Sequence, residues 1–339
     1  MKFISLKALT AAILLLGLGW SAYWLIGGRI AKAAVEDRLR RESSLDIRYS
    51  DISVSGFPNR FDFTIANPEI ADSRSRTRWT APFIQILSLS YDWSHLIAVW
   101  PETQAITFGD EEFIVDSSGM KASFVFERRP DSMPERFALE FDRADVLASD
   151  RAVGSFSGGV LAVERVGTDA EAYRIGIAIS EAEFDSASNS GILNSADTTL
   201  SVSDLSGDIR VHFDGPPRSS DFHDLLPYIS EITFDSLNSS INGLDLSMDG
   251  GLEFAPSGYP VGELAVELEH PALLAEIAVA HGLATREEAA AIVLAVSSLL
   301  SGGSRDEAIL IPILFENGAA CIAISFLCYE IMRFDRATQ

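Results

Sequence analysis

"SGFPNRFDFTIANPEI" (Ser55–Ile70) and "SGYPVGELAVELEHPAL" (Ser257–Leu273) are two versions of one pattern. Each opens with Ser-Gly, an aromatic residue and proline. Each then alternates apolar with mostly polar residues and closes on a proline. In the first, Phe61, Phe63 and Ile65 recur two apart; in the second, Leu264, Val266 and Leu268 do. Residues two apart share one face of a strand. Each stretch therefore reads as a Gly/Pro turn (Gly56, Phe57, Pro58 and Gly258, Tyr259, Pro260) feeding a half-buried strand. The second copy has one extra residue after its proline. Two copies are too few for a solenoid. A turn-and-strand unit used near both ends of one long sheet is the modest alternative to coincidence.

The period of two recurs along the chain. "FALEF" sets Phe137, Leu139 and Phe141 on one face, and "YRIGIAI" sets Tyr173, Ile175, Ile177 and Ile179. "DIRVHF" opposes Ile209, Val211 and Phe213 to Asp208, Arg210 and His212. "ILIPILF" and "AACIAISF" continue the habit near the C-terminus. Turn signals such as Phe108-Gly109-Asp110, Gly215-Pro216-Pro217 and Asp249-Gly250-Gly251 fall between such runs. About a dozen strands joined by hairpins make an antiparallel sheet, and a long twisted sheet curls. Two stretches break the pattern. "SSDFHDLLPYIS" suits a short helix with Phe222, Leu225, Leu226 and Ile229 inward. Near residues 271–301 a helical hairpin is expected: a helix over 271–281, then one capped by Thr285 with Glu288 completing a capping box. The fold class is mainly β (α+β).

Residues 1–28 read as a short tip and a transmembrane anchor. The run Ala8–Gly28 is uncharged for 21 residues, with Trp20, Tyr23 and Trp24 near its far end. About 20 apolar residues cross a hydrocarbon core, and aromatics collect at its interface. No small-x-small cleavage site follows, so the segment is retained. From Arg29 to about Ser44 the pattern suits a helix that continues the anchor. Residues 29–339 form the β-rich body. Counting positive charges beside the anchor, taken literally, puts the body on the cytoplasmic side.

The formal net charge is -23. Up to residue 45, seven basic residues stand against three acidic ones, a net of +4, so the rest carries -27. Nucleic acid is excluded as a partner of so acidic a body. A basic collar at residues 29–41 suits anionic headgroups. Cys321 and Cys328 have no further cysteine partners, which argues against a zinc site. In one continuous strand they would lie on opposite faces, about 23 Å apart. They are expected as two buried thiols; a disulfide would need a tight turn between them. His212 and His223 lie among Asp214, Asp221 and Asp224, and "DSASNSGILNSA" (185–196) is a loose calcium-loop likeness lacking its last glutamate. Neither rises to a site. With no nucleophile elbow, Walker lysine or HExxH, no catalytic residue, metal or cofactor is expected.

One stretch carries a resemblance. The Gly-Phe-Pro turn at 56–58, "FDFTIANPEI", "WTAPFIQILSLSYD" (Trp79, Ala81, Pro82) and then Trp100-Pro101, together with the N-terminal anchor, resemble the alphaproteobacterial domain of unknown function 2125 family. That family is similar to the AsmA-like envelope proteins. The C-terminal "CIAISFLCYEIMRF" departs from its pattern. The resemblance implies a single-pass protein of the bacterial inner membrane, its body in the periplasm, with a curved sheet whose concave face is apolar. The expected function is to bind or help move lipid or another hydrophobic ligand. Phe61, Phe63, Ile65, Leu264, Val266 and Leu268 are the groove candidates. The expected partners are the inner-membrane bilayer and a phospholipid or another envelope protein. The alternative is a non-catalytic structural or assembly factor that docks another envelope protein through its acidic surface.

Overall fold

The computed structural model describes residues 6–41, 45–72, 74–127, 134–149, 151–167, 169–185, 199–217, 229–254, 258–280, 285–290, 308–322 and 328–330. The molecule is mainly β: a large antiparallel sheet with an N-terminal apolar helix and small C-terminal helices. It divides into two compact units, one of residues up to 115 with 120–125, the other of 116–119 with the chain from 126 onward.

The first unit begins with α1 (Leu6–Arg41), which joins the apolar run and the expected continuing helix without a break. Its strands are β1 (Asp46–Arg48), β2 (Asp51–Ser55), β3 (Arg60–Ala66), β4 (Glu69–Asp72), β5 (Thr77–Thr80), β6 (Phe83–Leu89), β7 (Asp92–Val99), β8 (Thr103–Phe108), β9 (Glu111–Ser118) and β10 (Lys121–Val125). Taken in pairs, these are long strands each broken in the middle. β2 pairs with β3, β3 with β6, β6 with β7 and β7 with β10 on one side of the break. On the other side β1 pairs with β4, β4 with β5 and β5 with β8. Pro68, Pro82 and Pro101 stand at three of the breaks. Proline has no N–H to give the ladder, so each interrupts its strand. The breaks line up because register brings them together: Asn67 N donates to Pro82 O (2.8 Å) and Ala81 N to Pro68 O (3.3 Å). The result is a crease running across the sheet.

α1 covers one face of this sheet. Trp24, Ala31, Val35 and Leu39 fall on one helical stripe. They pack on Ile52, Phe61, Phe63 and Ile65, with Ile84 and Ile86 beside them.

The second unit is a meander of long strands: β11 (Arg136–Ala148), β12 (Arg151–Arg165), β13 (Ala172–Asp185), β14 (Thr199–Phe213), β15 (Ile229–Ile241), β16 (Leu244–Phe254), β17 (Pro260–Leu268) and β18 (Ile309–Glu316). Each pairs antiparallel with the next. β15 carries one residue more than both neighbours near Asp235–Ser236, a bulge that brings Phe234 and Leu237 onto the same face. The helix α2 (Ala272–Ala280) covers Leu244, Leu268 and Ile309 with Leu273, Leu274 and Ile277. After it, residues 286–290 are helical. The expected capping box is formed: Thr285 N donates to Glu288 Oε2 (2.8 Å), and Glu288 N donates to Thr285 Oγ1 (3.2 Å). Of the helix expected around 220–229, Ile229 instead opens β15, while residues 220–228 and the loop at 186–196 lie outside the described residues.

The cysteines depart from the expectation of free thiols. β19 (Ala319–Ile322) and β20 (Cys328–Glu330) pair antiparallel with Cys321 opposite Cys328. Cys321 is disulfide-bonded, and the chain has one other cysteine to bond. The antiparallel pairing places the two cysteines opposite each other, although no Gly or Pro between them announces it in the sequence.

Candidate functional site

Phe61, Phe63 and Ile65 cluster beneath α1, and Val266 and Leu268 beneath α2. Phe61 and Phe63 are each 2% exposed and Ile65 is buried, all packed with α1 residues. Leu264 and Leu268 are buried, and Val266 packs with Leu268 in the cluster under α2. The turns before them share a backbone feature: Gly56 (φ 98°) and Gly258 (φ 81°) occupy the left-handed region. A cis peptide joins Phe57 to Pro58. At Gly56 a Cβ would lie 2.8 Å from Asp62 Oδ2.

The first turn meets the aromatic end of the apolar helix. Trp20 Nε1 donates to Pro58 O (2.9 Å), Trp24 Nε1 to Arg60 O (2.7 Å) and Tyr23 Oη to Ser90 O (2.8 Å). Trp24 meets the ring of Phe57 edge-on, and Trp93 packs beside Phe61 and Phe63. Tryptophan and tyrosine each carry a polar handle that needs a partner, and turn carbonyls supply it.

The second unit carries a wider apolar face that includes Leu264 and Val266 and is covered by α2 at its β16–β18 end. Register sets Leu139, Leu161, Ile177, Gly207, Leu237, Met248, Val266 and Ile311 in one row across β11–β18. The adjacent row runs Phe137, Val163, Ile175, Ile209, Phe234, Gly250, Leu264 and Ile313. No polar side chain interrupts either row. All these residues except Leu264 are half-buried, so this face is incompletely covered by the described chain. Sequence reading identified several of these strands but ranked the two repeated ones above them. The signal it lacked is the cross-strand register, which turns separate alternations into continuous rows.

The opposite face is ionic. Arg174 pairs with Asp208, and Arg210 with Asp235 (2.5 Å), diagonally across β13, β14 and β15. The hydrogen bond from Arg174 holds the Asp208 carboxyl below its ordinary 3.8, and Arg210 does the same to Asp235. A depression of about 330 Å³ on this unit is lined by Asp204, Asp245, Glu267 and Glu269 among serines and Asn238.

Titratable clusters are exposed or half-exposed. Asp169, Glu171 and His212 converge, as do Asp245, Glu269 and His270. His212 lies 3.6 Å from Asp169 and within reach of Ser230 Oγ (3.3 Å). His223, Asp221 and Asp224, weighed with it from sequence, lie outside the described residues.

Residues 24–326 match the model of the family described as "Uncharacterized protein conserved in bacteria (DUF2125)". This chain belongs to the DUF2125 family. For this DUF2125 member the match opens at Trp24, within the stretch of α1 that meets the sheet, and closes beyond β19. No curated protein matches the chain.

Proposed function

We propose that this DUF2125 protein is a single-pass protein of the bacterial inner membrane whose body lies in the periplasm and holds a lipid acyl chain, or another elongated hydrophobe, on the apolar face of β11–β18. The observation that carries the reading is the pair of uninterrupted apolar rows, half-buried at every position but Leu264 and covered by α2 only toward β16–β18. Each CH₂ of an acyl chain withdrawn onto such a face gains about 0.8 kcal/mol. Eight strands spaced at about 4.8 Å span roughly 34 Å, enough for an extended chain. The kinship with AsmA-like envelope proteins belongs to this proposal.

The anchor is supported by α1, which is long and apolar enough to cross a membrane. Its uncleaved state is supported by packing: removing the segment would strip Trp24 and Ala31 from Phe61 and Phe63. The periplasmic body is supported by the disulfide at Cys321, since such bonds persist in oxidising compartments. No catalytic residue is proposed.

The test is site-directed photocrosslinking on the full chain in membranes. A photoactivatable residue at Ile177 or Leu237 should capture phospholipid, whereas one at Arg174 on the ionic face should not. Equal capture from both faces, or none from either, sinks the reading. The acidic depression beside Asp245 and Glu269 supports the second reading, a docking surface for another envelope protein. A protein adduct from Asp245, with no lipid from Ile177 or Leu237, would favour it.

A further inference from the structure

We infer that the β2–β3 and β6–β7 turns of the first unit are embedded in the body-side interface of the bilayer, so that the sheet's tip enters the membrane alongside α1. The inference rests on the proposal that α1 crosses a membrane, and on where the helix is fastened.

The fastening points are the deciding geometry. Trp20, Tyr23 and Trp24 donate hydrogen bonds to carbonyls of Pro58, Ser90 and Arg60, so both turns are held level with residues 20–24 of the helix. The turns are also tied to each other, Ser90 N donating to Asn59 O (2.8 Å). The uncharged run begins at Ala8. At 1.5 Å per residue, Trp20 lies about 18 Å and Trp24 about 24 Å beyond Ala8. The hydrocarbon core is about 30 Å thick. If the core begins at Ala8, the turns lie inside its far boundary. Beginning it at Leu6, the first residue of α1, with Lys7 snorkelling, moves that boundary only to about Ile26. In both placements the tip reaches the lipid.

The tip's exposed side chains fit that position. Phe57 is 55% exposed, Tyr91 66% and Trp93 45%, beside Trp20 at 40% and Tyr23 at 45%. Large aromatics turned outward around one helix are what the interface selects, because a ring offers an apolar body and a polar edge. The charges nearby suit the same depth. Asp62 is buried and ion-paired with Arg60 (2.6 Å), and Asp92 accepts from Ser94, so both carboxylates of the tip are held by partners. In water this aromatic group would be an unexplained apolar patch; against the bilayer that α1 crosses, it continues the apolar surface of the helix.

The test uses the full chain in lipid nanodiscs, with a fluorescent label on one introduced cysteine at a time. Tyr91→Cys reports the tip, Leu15→Cys the anchor, and Asp110→Cys a turn of the same unit away from these contacts. Labels at Leu15 and Tyr91 should be quenched several-fold by nitroxide-bearing lipids, that at Tyr91 most by nitroxides near the headgroup, and both should resist aqueous iodide. The Asp110 label should behave in the opposite way. A Tyr91 label open to iodide and untouched by lipid quenchers, with Leu15 quenched, overturns this inference alone. If Leu15 also behaves as aqueous, the anchor reading falls and takes this inference with it. Because Tyr91 and Asp110 are exposed, unchanged melting of each labelled protein checks that the fold is retained.

Discussion

At the scale of single residues, the repeated turns give the sharpest expectations. Gly56 and Gly258 hold a backbone region that side chains with a Cβ adopt at a cost. Gly56→Val also drives a Cβ toward Asp62 Oδ2. Each change should destabilise by about 1–3 kcal/mol, read as a lowered midpoint in urea. Variants that unfold like the parent would mean that neither turn constrains the fold. Phe63 tests what its strand does. It is 2% exposed against α1, so Phe63→Gln removes packing and buries an amide. A loss of about 3–5 kcal/mol is expected. Ile177→Gln, on the half-buried rows, should lose much less stability while reducing lipid capture. If Phe63→Gln melts normally and sheds lipid, Phe63 belongs to the ligand surface after all.

Among elements, the three-strand ionic face is the part that should respond to acid. Asp208 and Asp235 have carboxyls lowered from 3.8 by their arginines. A carboxyl lowered in the folded state stabilises above the unfolded value, and that contribution is lost as pH falls through the folded value. Melting temperature should therefore drop below about pH 4, and Asp208→Asn should flatten part of that drop. Both partners are solvent-accessible, so high salt should shrink the difference; an identical acid profile in the variant would show that the pair contributes nothing. Strands and caps were legible in the sequence because they are local. "YRIGIAI" alternates by itself, and Thr285 and Glu288 are three apart. What required the structure was non-local. Pro68, Pro82 and Pro101 are visible as breakers, but the crease exists only because register aligns such breaks. The groove candidates alternate as a groove or a core would; α1 lying over Phe61, Phe63 and Ile65, and α2 over Val266 and Leu268, decide which for those five. The disulfide was hidden because the six residues between Cys321 and Cys328 contain no Gly, Pro, Asn or Asp to signal a reversal.

For the whole molecule, compartment is the property most open to test. A periplasm-dependent reporter fused after Gln339 should be active, and a cytoplasm-only reporter silent. The converse would move the body to the other side and remove the oxidising environment that the Cys321 bond supports. Thiol labelling checks the same point independently: none of the two cysteines should react before reduction, and both after it. The order of pairing adds a consequence of its own. From β11 to β18 every strand lies beside its predecessor in the chain. Closing short loops costs little chain entropy, whereas distant pairings wait for the rest of the polypeptide. A sheet laid down in this order can be built strand by strand from its N-terminal side as the polypeptide is made, with each finished strand serving as the template for the next.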